Sequence, residues 1–456
     1  MKTLKNRFKK MWLLSSVLFL LTHTINIALA QDTIPITLEK ILDLGGANNL
    51  TIKEYKERQE LSLAEFAKSK EWWLPEIYAG TQTHQLWGTA MNADGRFFLD
   101  VNSQNLWGGI GLNAYWNFAE SIYNVESANL KSQVSQYLTK AERNQQLLKM
   151  INAYYELMTA QLSYNAYQNL VNQSNSIIQQ IQIQVEGGLL YESELLLAKS
   201  NKNHLKVEML NANKAYNNTS AALKKLLNIK QNIKLASADK ALLPLDFTND
   251  LSSDQVRVVE SDRLIRPEIK ANELQLKALN VERKKHTLGL LVPELNVNTY
   301  GSYFGRISGN VSPIFPLQYP ETQQLYPTGA LNISLLWRIP LGALIYQGDK
   351  KKYDSKILLT KIKADQFKAY VSEEIANAKS DLQLGKEQIE TSKEAVYFTT
   401  EALNQSIERQ KIGTAKPFEV FQAQQFFLQA QLDYLNVVSE YNKAQYALKA
   451  AKGEIL

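Results

Sequence analysis

The chain has 456 residues, 45% of them hydrophobic and 21% charged, with no cysteine and a formal charge of +6. The apolar content excludes a wholly disordered chain. The missing thiols exclude a disulfide framework, thiolate metal sites and a nucleophilic cysteine.

Lys2, Lys5, Arg7, Lys9 and Lys10 precede the apolar run 11–21, and Ala28-Leu29-Ala30 fits a small-x-small cleavage pattern. Residues 1–30 are therefore expected to be an export signal, with the mature chain starting near Gln31. Its removal takes 51 basic residues to 46, against 45 acids. A nucleic-acid partner then has no electrostatic footprint to rest on. No later stretch reaches eighteen apolar residues, so no transmembrane helix is expected.

After Pro75, Ile77, Ala79 and Thr81 alternate with Tyr78, Gly80 and Gln82, the period of a strand. Residues 87–107, with Asn92, Asp94 and Gly95, read as a turn-rich loop. The stretch 109–118 alternates again, with Ile110, Leu112, Ala114, Trp116 and Phe118 on one parity. From 119 to 186 there is no Gly or Pro, and Leu147, Ile151, Tyr154, Tyr155, Met158 and Leu162 recur three and four apart. That is a helix roughly 100 Å long. Gly188 follows, then a second helical stretch, 191–227.

The same succession recurs further on. Leu295, Val297 and Thr299 alternate with Asn296, Asn298 and Tyr300; the stretch 331–339 alternates through Leu331, Ile333, Leu335 and Trp337. Residues 306–328, with Pro313, Pro316, Pro320 and Pro327, read as a second long loop. Helical patterns cover 349–412, with Gly385 as its one breaker, and 417–452 after Gly413. Helices of this length suggest coiled-coil packing.

Each alternating stretch is about ten residues, enough to cross a bilayer as a tilted strand. Trp87, Trp107, Trp116, Tyr300, Tyr303 and Trp337 lie in or beside them, placed for an interfacial aromatic girdle. Alternation alone equally fits a soluble strand pair packed on a helix; export and four bilayer-length strands favour the membrane. Four strands cannot close a barrel, and open edges are not tolerated in hydrocarbon. Spanning strands therefore require several copies to pool them: two chains give eight, three give twelve.

Leu74-Pro75-Glu76-Ile77 matches Val292-Pro293-Glu294-Leu295 at an offset of 218 residues, and Gly188 through Ala198 matches Gly413 through Ala423 at an offset of 225. The chain reads as a duplication. The first repeat is 31–243, with a β-hairpin at about 75–118 and a helical hairpin at about 119–228. The second is 244–456, with a β-hairpin at about 293–340 and a helical hairpin at about 345–453.

This ordered set, with Arg266-Pro267-Glu268-Ile269 before a helix and two Gly-x5-Glu-Leu/Val-x-x-Ala turns, resembles the TolC-like outer-membrane channels of efflux and type I secretion systems. The resemblance implies a mainly helical fold with a small β part. It implies a homotrimer with a twelve-stranded barrel in the outer-membrane lipid, continued by a periplasmic α-helical tunnel. It also implies a periplasmic adaptor (a membrane fusion protein) and an inner-membrane transporter as partners. Many relatives carry a lipidated N-terminal Cys; this chain has no Cys, so its anchoring is expected to rest on the barrel. Gly188, Leu189, Leu190, Gly413, Thr414 and Ala415 would be the adaptor-docking tips, although the glycines serve equally as plain helix ends. Glu419 matches an acid that lines the closed periplasmic aperture. Glu194 is its first-half counterpart, and Gln422 stands where a second acid often lies. A solvated carboxylate is the alternative for Glu419.

No GxxxxGK[ST], HExxH or GxSxG pattern occurs, and His84, His204 and His286 are widely separated. No enzyme activity, metal or cofactor is expected. Lys350, Lys351 and Lys352 read as a solvated basic run. The competing reading is a periplasmic coiled-coil adaptor or interaction protein without a barrel. It explains export and long helices but not the alternating hairpins.

Overall fold

The computed structural model describes residues 33–91, 94–230, 233–246, 266–310 and 325–454. The expected export signal, Asn92, and the loop prolines 313, 316 and 320 lie outside the described residues.

Strand β1 (Thr33–Ile36) leads to α1 (Leu38–Asn48) and α2 (Leu50–Ser69). A hairpin of β2 (Glu76–Met91) and β3 (Phe97–Asn117) follows, then α3 (Phe118–Glu186), α4 (Glu192–Leu226) and the short strand β4 (Lys234–Ser237). The chain continues with α5 (Pro267–Lys285), the hairpin β5 (Glu294–Asn310) and β6 (Leu325–Leu336), a short α6 (Leu341–Ile345), α7 (Gly348–Lys411) and α8 (Pro417–Lys452). Helix predominates, with a small β part, and among the described residues β2-β3-β5-β6 form one antiparallel sheet in that order.

The strands are longer than their apolar alternation suggests. They hold 16, 21, 17 and 12 residues, and most of 87–107 is strand rather than loop. Alternation lapses at 102–105, where Asn102, Ser103, Gln104 and Asn105 make both parities polar. Gln82, Thr83, His84 and Gln85 pair with Trp107, Leu106, Asn105 and Gln104, so the ladder is set by backbone hydrogen bonds more than by an apolar face. Pro327, expected in a loop, sits inside β6 opposite Tyr303. β6 is an edge of the sheet, where a missing N–H costs no ladder bond. Trp337 and Ile339 lie beyond the end of β6.

α3 begins directly on β3. The Asn117 side chain accepts from the Glu120 N–H at 2.9 Å, an N-cap that turns strand into helix without a linker. The 69 residues of α3 run about 100 Å, and different stretches of it pack on different partners. In the middle, Leu147, Met150, Ile151, Tyr154, Leu157 and Met158 form the main core with Ile41, Leu223, Leu227, Leu235 and Val438. The parallel pair β1·β4, with Ile34 opposite Leu235, closes this core. Gln161 accepts from the Ser237 N–H at 2.8 Å, and the Tyr154 hydroxyl shares a 3.0 Å bond with Ser237 Oγ and donates to Asp239. Buried Asn442 of α8 accepts from the Leu245 N–H at 2.8 Å and donates to the Leu243 carbonyl at 2.9 Å. Gly385 does not break α7. It is buried against α8, where a Cβ would come within 2.8 Å of the Tyr441 ring.

Charge holds the helices together just below the sheet. Glu282 of α5 accepts from Ser127 at 3.0 Å and pairs with Lys131, both on α3. Arg283 meets Asp354 of α7 at 2.5 Å, and the His286 ring stacks on Tyr353 at 5.1 Å. Burial alone would raise the Glu282 carboxyl, but Lys131, Ser127 and Tyr353 together hold it below the ordinary range.

Leu157 is fully buried, so Leu157→Ala is expected to destabilise the fold by about 2–5 kcal/mol, read as a lowered thermal midpoint in detergent. Because the folded value of Glu282 lies below the unfolded one, its stabilisation is present above the ordinary glutamate range. It is lost as pH falls through the depressed value. The melting temperature of the wild type should therefore drop more steeply on acidification than that of Glu282→Gln. Parallel pH profiles would remove Glu282 from this role.

Candidate functional site

Both long helices end in the same turn. At Gly188, with φ +72°, the Leu189 N–H returns to the Gln184 carbonyl at 2.8 Å and the Gly188 N–H to Val185 at 2.9 Å. At Gly413, with φ +77°, Thr414 returns to Arg409 at 2.9 Å and Gly413 to Gln410 at 3.0 Å. This double bond pattern is a Schellman motif, which needs a left-handed residue after the helix. The second helix of each hairpin also closes in one. Asn228 and Gly453 have φ of +53° and +85°, with Ile229 bonded to Lys224 and Glu454 to Lys449, each at 3.0 Å. The members of each pair stand 225 residues apart in the sequence.

The four helices meet at the end marked by Gly188 and Gly413. Ile177 and Ile181 of α3, Leu195 and Ala198 of α4, Leu403 of α7 and Val420 and Phe421 of α8 form one buried cluster. Beside it Gln410, buried, donates to Gln184 Oε1 at 2.8 Å, and Gln184 donates to the Gln410 carbonyl at 3.2 Å. This amide pair ties the two hairpins together. Its residues carry no sequence signal apart from their place four and three residues before a glycine.

Of the expected tip residues, Gly188, Leu189, Gly413 and Thr414 are exposed, and Leu190 is half-buried against the tip cluster. Ala415 is buried instead. The turn that returns its N–H to the Arg409 carbonyl at 3.2 Å folds it against the helix end, so it is not free to meet a partner. The exposed apolar surface of the tips includes three residues that the spacing did not single out: Tyr191, Ile412 and Phe418. An apolar side chain at a helix end, where polar residues usually sit, was the available signal.

The acid positions separate. Glu419 accepts from the Lys416 N–H at 3.3 Å and lies 3.5 Å from Arg409, so it both caps α8 and pairs with α7. Glu419 and the exposed Gln422 line one groove between α7 and α8, which also holds Phe398 and Phe426. Glu194 belongs to the other hairpin. It is half-buried, and its Oε2 is shut from solvent without a hydrogen-bond partner among the described residues.

The sheet has two unlike faces. Paired residues share a face, so cross-strand rows can be read off the register. On one face run Ala79–Ile110–Gly301, Ile77–Leu112–Thr299–Leu331, Ala114–Val297–Ile333 and Trp116–Leu295–Leu335. Ile77, Ile110, Leu331, Ile333 and Leu335 are all more than half exposed there. The other face holds Tyr78, Trp107 and Tyr300. Tyr78 stacks on Trp107 with centroids 6.4 Å apart, and Trp107 meets Tyr300 edge-on at 5.9 Å. The six girdle residues are therefore split. Trp87, Trp116 and Tyr303 share the parity of the apolar face, Trp107 and Tyr300 lie on the opposite one, and Trp337 follows the sheet. The Trp116 indole donates to the Trp73 carbonyl at 2.9 Å, fixing the base of the sheet.

Among the described residues no cluster of His, Asp and Glu is arranged to hold a metal ion, and no helix is long and apolar enough to cross a membrane.

No family model and no curated protein matches the sequence. Solved structures do match the fold. CusC, whose structures concern folding and transmembrane channel formation, is 13% identical with a TM-score of 0.74, covering 94% of this chain and 96% of that one. The CmeC outer-membrane channel of Campylobacter jejuni is 17% identical with a TM-score of 0.71, covering 91% and 85%. The outer-membrane protein VceC of Vibrio cholerae is 14% identical with a TM-score of 0.70, covering 91% and 96%. The fold of this chain is that of the TolC-like outer-membrane channels.

A Cβ at Gly188 or Gly413 would meet no atom within 4 Å, so only the left-handed backbone opposes substitution. Gly413→Ala should cost about 1–2 kcal/mol locally and Gly413→Asn less. The readout is faster hydrogen exchange at the Thr414 and Ala415 amides, with the global melting temperature nearly unchanged.

Proposed function

We propose that this chain is the passive outer-membrane exit duct of a multi-part export system. One observation carries the reading. The sheet has an exposed apolar face and two edges, β2 and β6, that are unpaired among the described residues, and it runs without a linker into a helix of about 100 Å. A sheet of this kind is incomplete in water, where the apolar face is exposed, and in lipid, where the edges are unsatisfied. Joining β6 of one copy to β2 of the next satisfies both demands.

In this reading three copies pool twelve strands into a barrel, with the apolar rows toward lipid and the Tyr78 face toward the lumen. At about 3.3 Å per residue the 21 residues of β3 overshoot an apolar band of about 25 Å. The polar stretch around Asn102–Asn105 would then stand outside the membrane. The long helices form a periplasmic tunnel, and the duplicated halves supply its two hairpins per copy. The tips, with Leu189, Tyr191, Ile412, Thr414 and Phe418 exposed, dock on a periplasmic adaptor that links the duct to an inner-membrane transporter supplying the energy. Residues 1–30 direct export. The recurrence of helix-ending turns at a spacing of 225 residues supports the duplication, and the shared fold of CusC, CmeC and VceC supports the membrane placement.

Glu419 is assigned to the periplasmic aperture, with Gln422 in the same groove. Threefold symmetry would bring three carboxylates near one axis, where a ring of acids favours cations. Glu194, on the other hairpin with a buried oxygen, is a weaker member of that set. An adaptor without a barrel is the alternative, and it leaves the exposed apolar rows of the sheet without a role.

The protein should fractionate with the outer membrane, resist extraction by urea or salt, and purify in detergent as a trimer. Recovery as a water-soluble monomer would end the proposal. In planar bilayers Glu419→Gln should lower the preference for cations over anions and weaken block by divalent cations. Unchanged selectivity and block would take Glu419 out of the aperture.

A further inference from the structure

On the face of the sheet opposite the apolar rows, the side chains line an open recess of about 660 Å³ spanning β2, β3 and β5. Its aromatic lining is Tyr78, Trp107, Tyr300 and Phe304. Its polar lining is Gln82, His84, Asn105 and Asn298, and no Asp, Glu, Lys or Arg takes part. A lumen wall made for ions or for bulk water would not need four aromatic rings and no formal charge.

The rings are held in place rather than loosely packed. Tyr78 lies across Gly111, where a Cβ would come within 2.3 Å of the ring, so only glycine lets it lie flat on the strand. Its hydroxyl accepts from the Asn298 side chain at 3.4 Å. Trp107 is then fixed between Tyr78, stacked with an interplanar angle of 28°, and Tyr300, edge-on at 76°. The wall thus offers ring faces and ring edges side by side, the two orientations that aromatic partners prefer. The carboxamides of Gln82, Asn105 and Asn298 flank it with donors and acceptors.

We propose that this recess is a binding site for planar, uncharged aromatic solutes, which stack on Trp107 and Tyr78 and hydrogen-bond to Asn105, Gln82 and Asn298. The proposal rests on the duct reading only for its place in the lumen, where threefold repetition would make three such sites around the path of the cargo.

The test uses full-length protein in detergent and caffeine as the probe, a flat, neutral, soluble ring system. A saturation-transfer NMR titration should show saturable binding that glucose does not displace. Trp107→Ala should weaken it roughly fivefold or more, while Trp107→Phe, which keeps a ring, stays within about twofold of wild type. In planar bilayers caffeine should reduce the current with the same order among variants. A protein that conducts but neither binds caffeine nor is blocked by it overturns the recess and leaves the duct standing. Binding in the NMR titration from a protein that never conducts supports the recess and counts against the duct. Equal binding by Trp107→Ala, or displacement by glucose, overturns the assignment.

Discussion

The unpaired backbone along β2 and β6 governs everything else in this molecule. A strand edge carries a row of N–H and C=O groups that must find partners, and here the sheet offers them none among the described residues. Water can satisfy them, but the apolar rows on one face oppose water. Lipid suits the rows, but not the edges. In the proposed duct, assembly of several copies meets both conditions. Each hairpin hangs from a strand, so a closed ring of strands gathers the hairpins into a ring as well.

The helices are stable at their length because α3 never relies on one partner. Its early turns lie against α2 and α5 with Glu282 and Lys131 between them. Its middle carries the Leu147–Met158 core, and its last turns join the cluster around Ile181 and Val420. A helix with shifting neighbours shows no single apolar stripe, which is why its periodicity is clear only around residues 147–162. The glutamine pair Gln184–Gln410 at the far end works by hydrogen bonding, a specific but modest link compared with apolar packing.

Helix ends were the most legible part of the sequence, because Gly188, Gly413 and Pro417 mark them chemically. Strand ends were not. Asn102, Ser103, Gln104 and Asn105 are polar on both parities, so nothing in them alternates. The aromatic set divides between the two faces for a different reason. Trp107 and Trp116 are nine residues apart, an odd spacing that puts them on opposite faces of one strand, and proximity to the strands was read without that parity. The burial of Ala415 was illegible because it depends on how a turn folds back. The groove shared by Glu419 and Gln422 was partly legible, since the two sit three apart on one helix face.

The two hairpins are joined to the sheet in different ways. In the first, β3 passes into α3 at Asn117 with no intervening residue, so strand and helix make one stiff rod. In the second, residues 337–347 separate β6 from α7, and they contain a short helix and Gln347 in the left-handed conformation at φ +51°. The backbone path from α3 into the wall is therefore continuous, whereas the path from α7 turns at this elbow. The molecule thus joins one hairpin to the wall directly and the other through a bent connection, which Arg283–Asp354 and the His286–Tyr353 stack brace against α5.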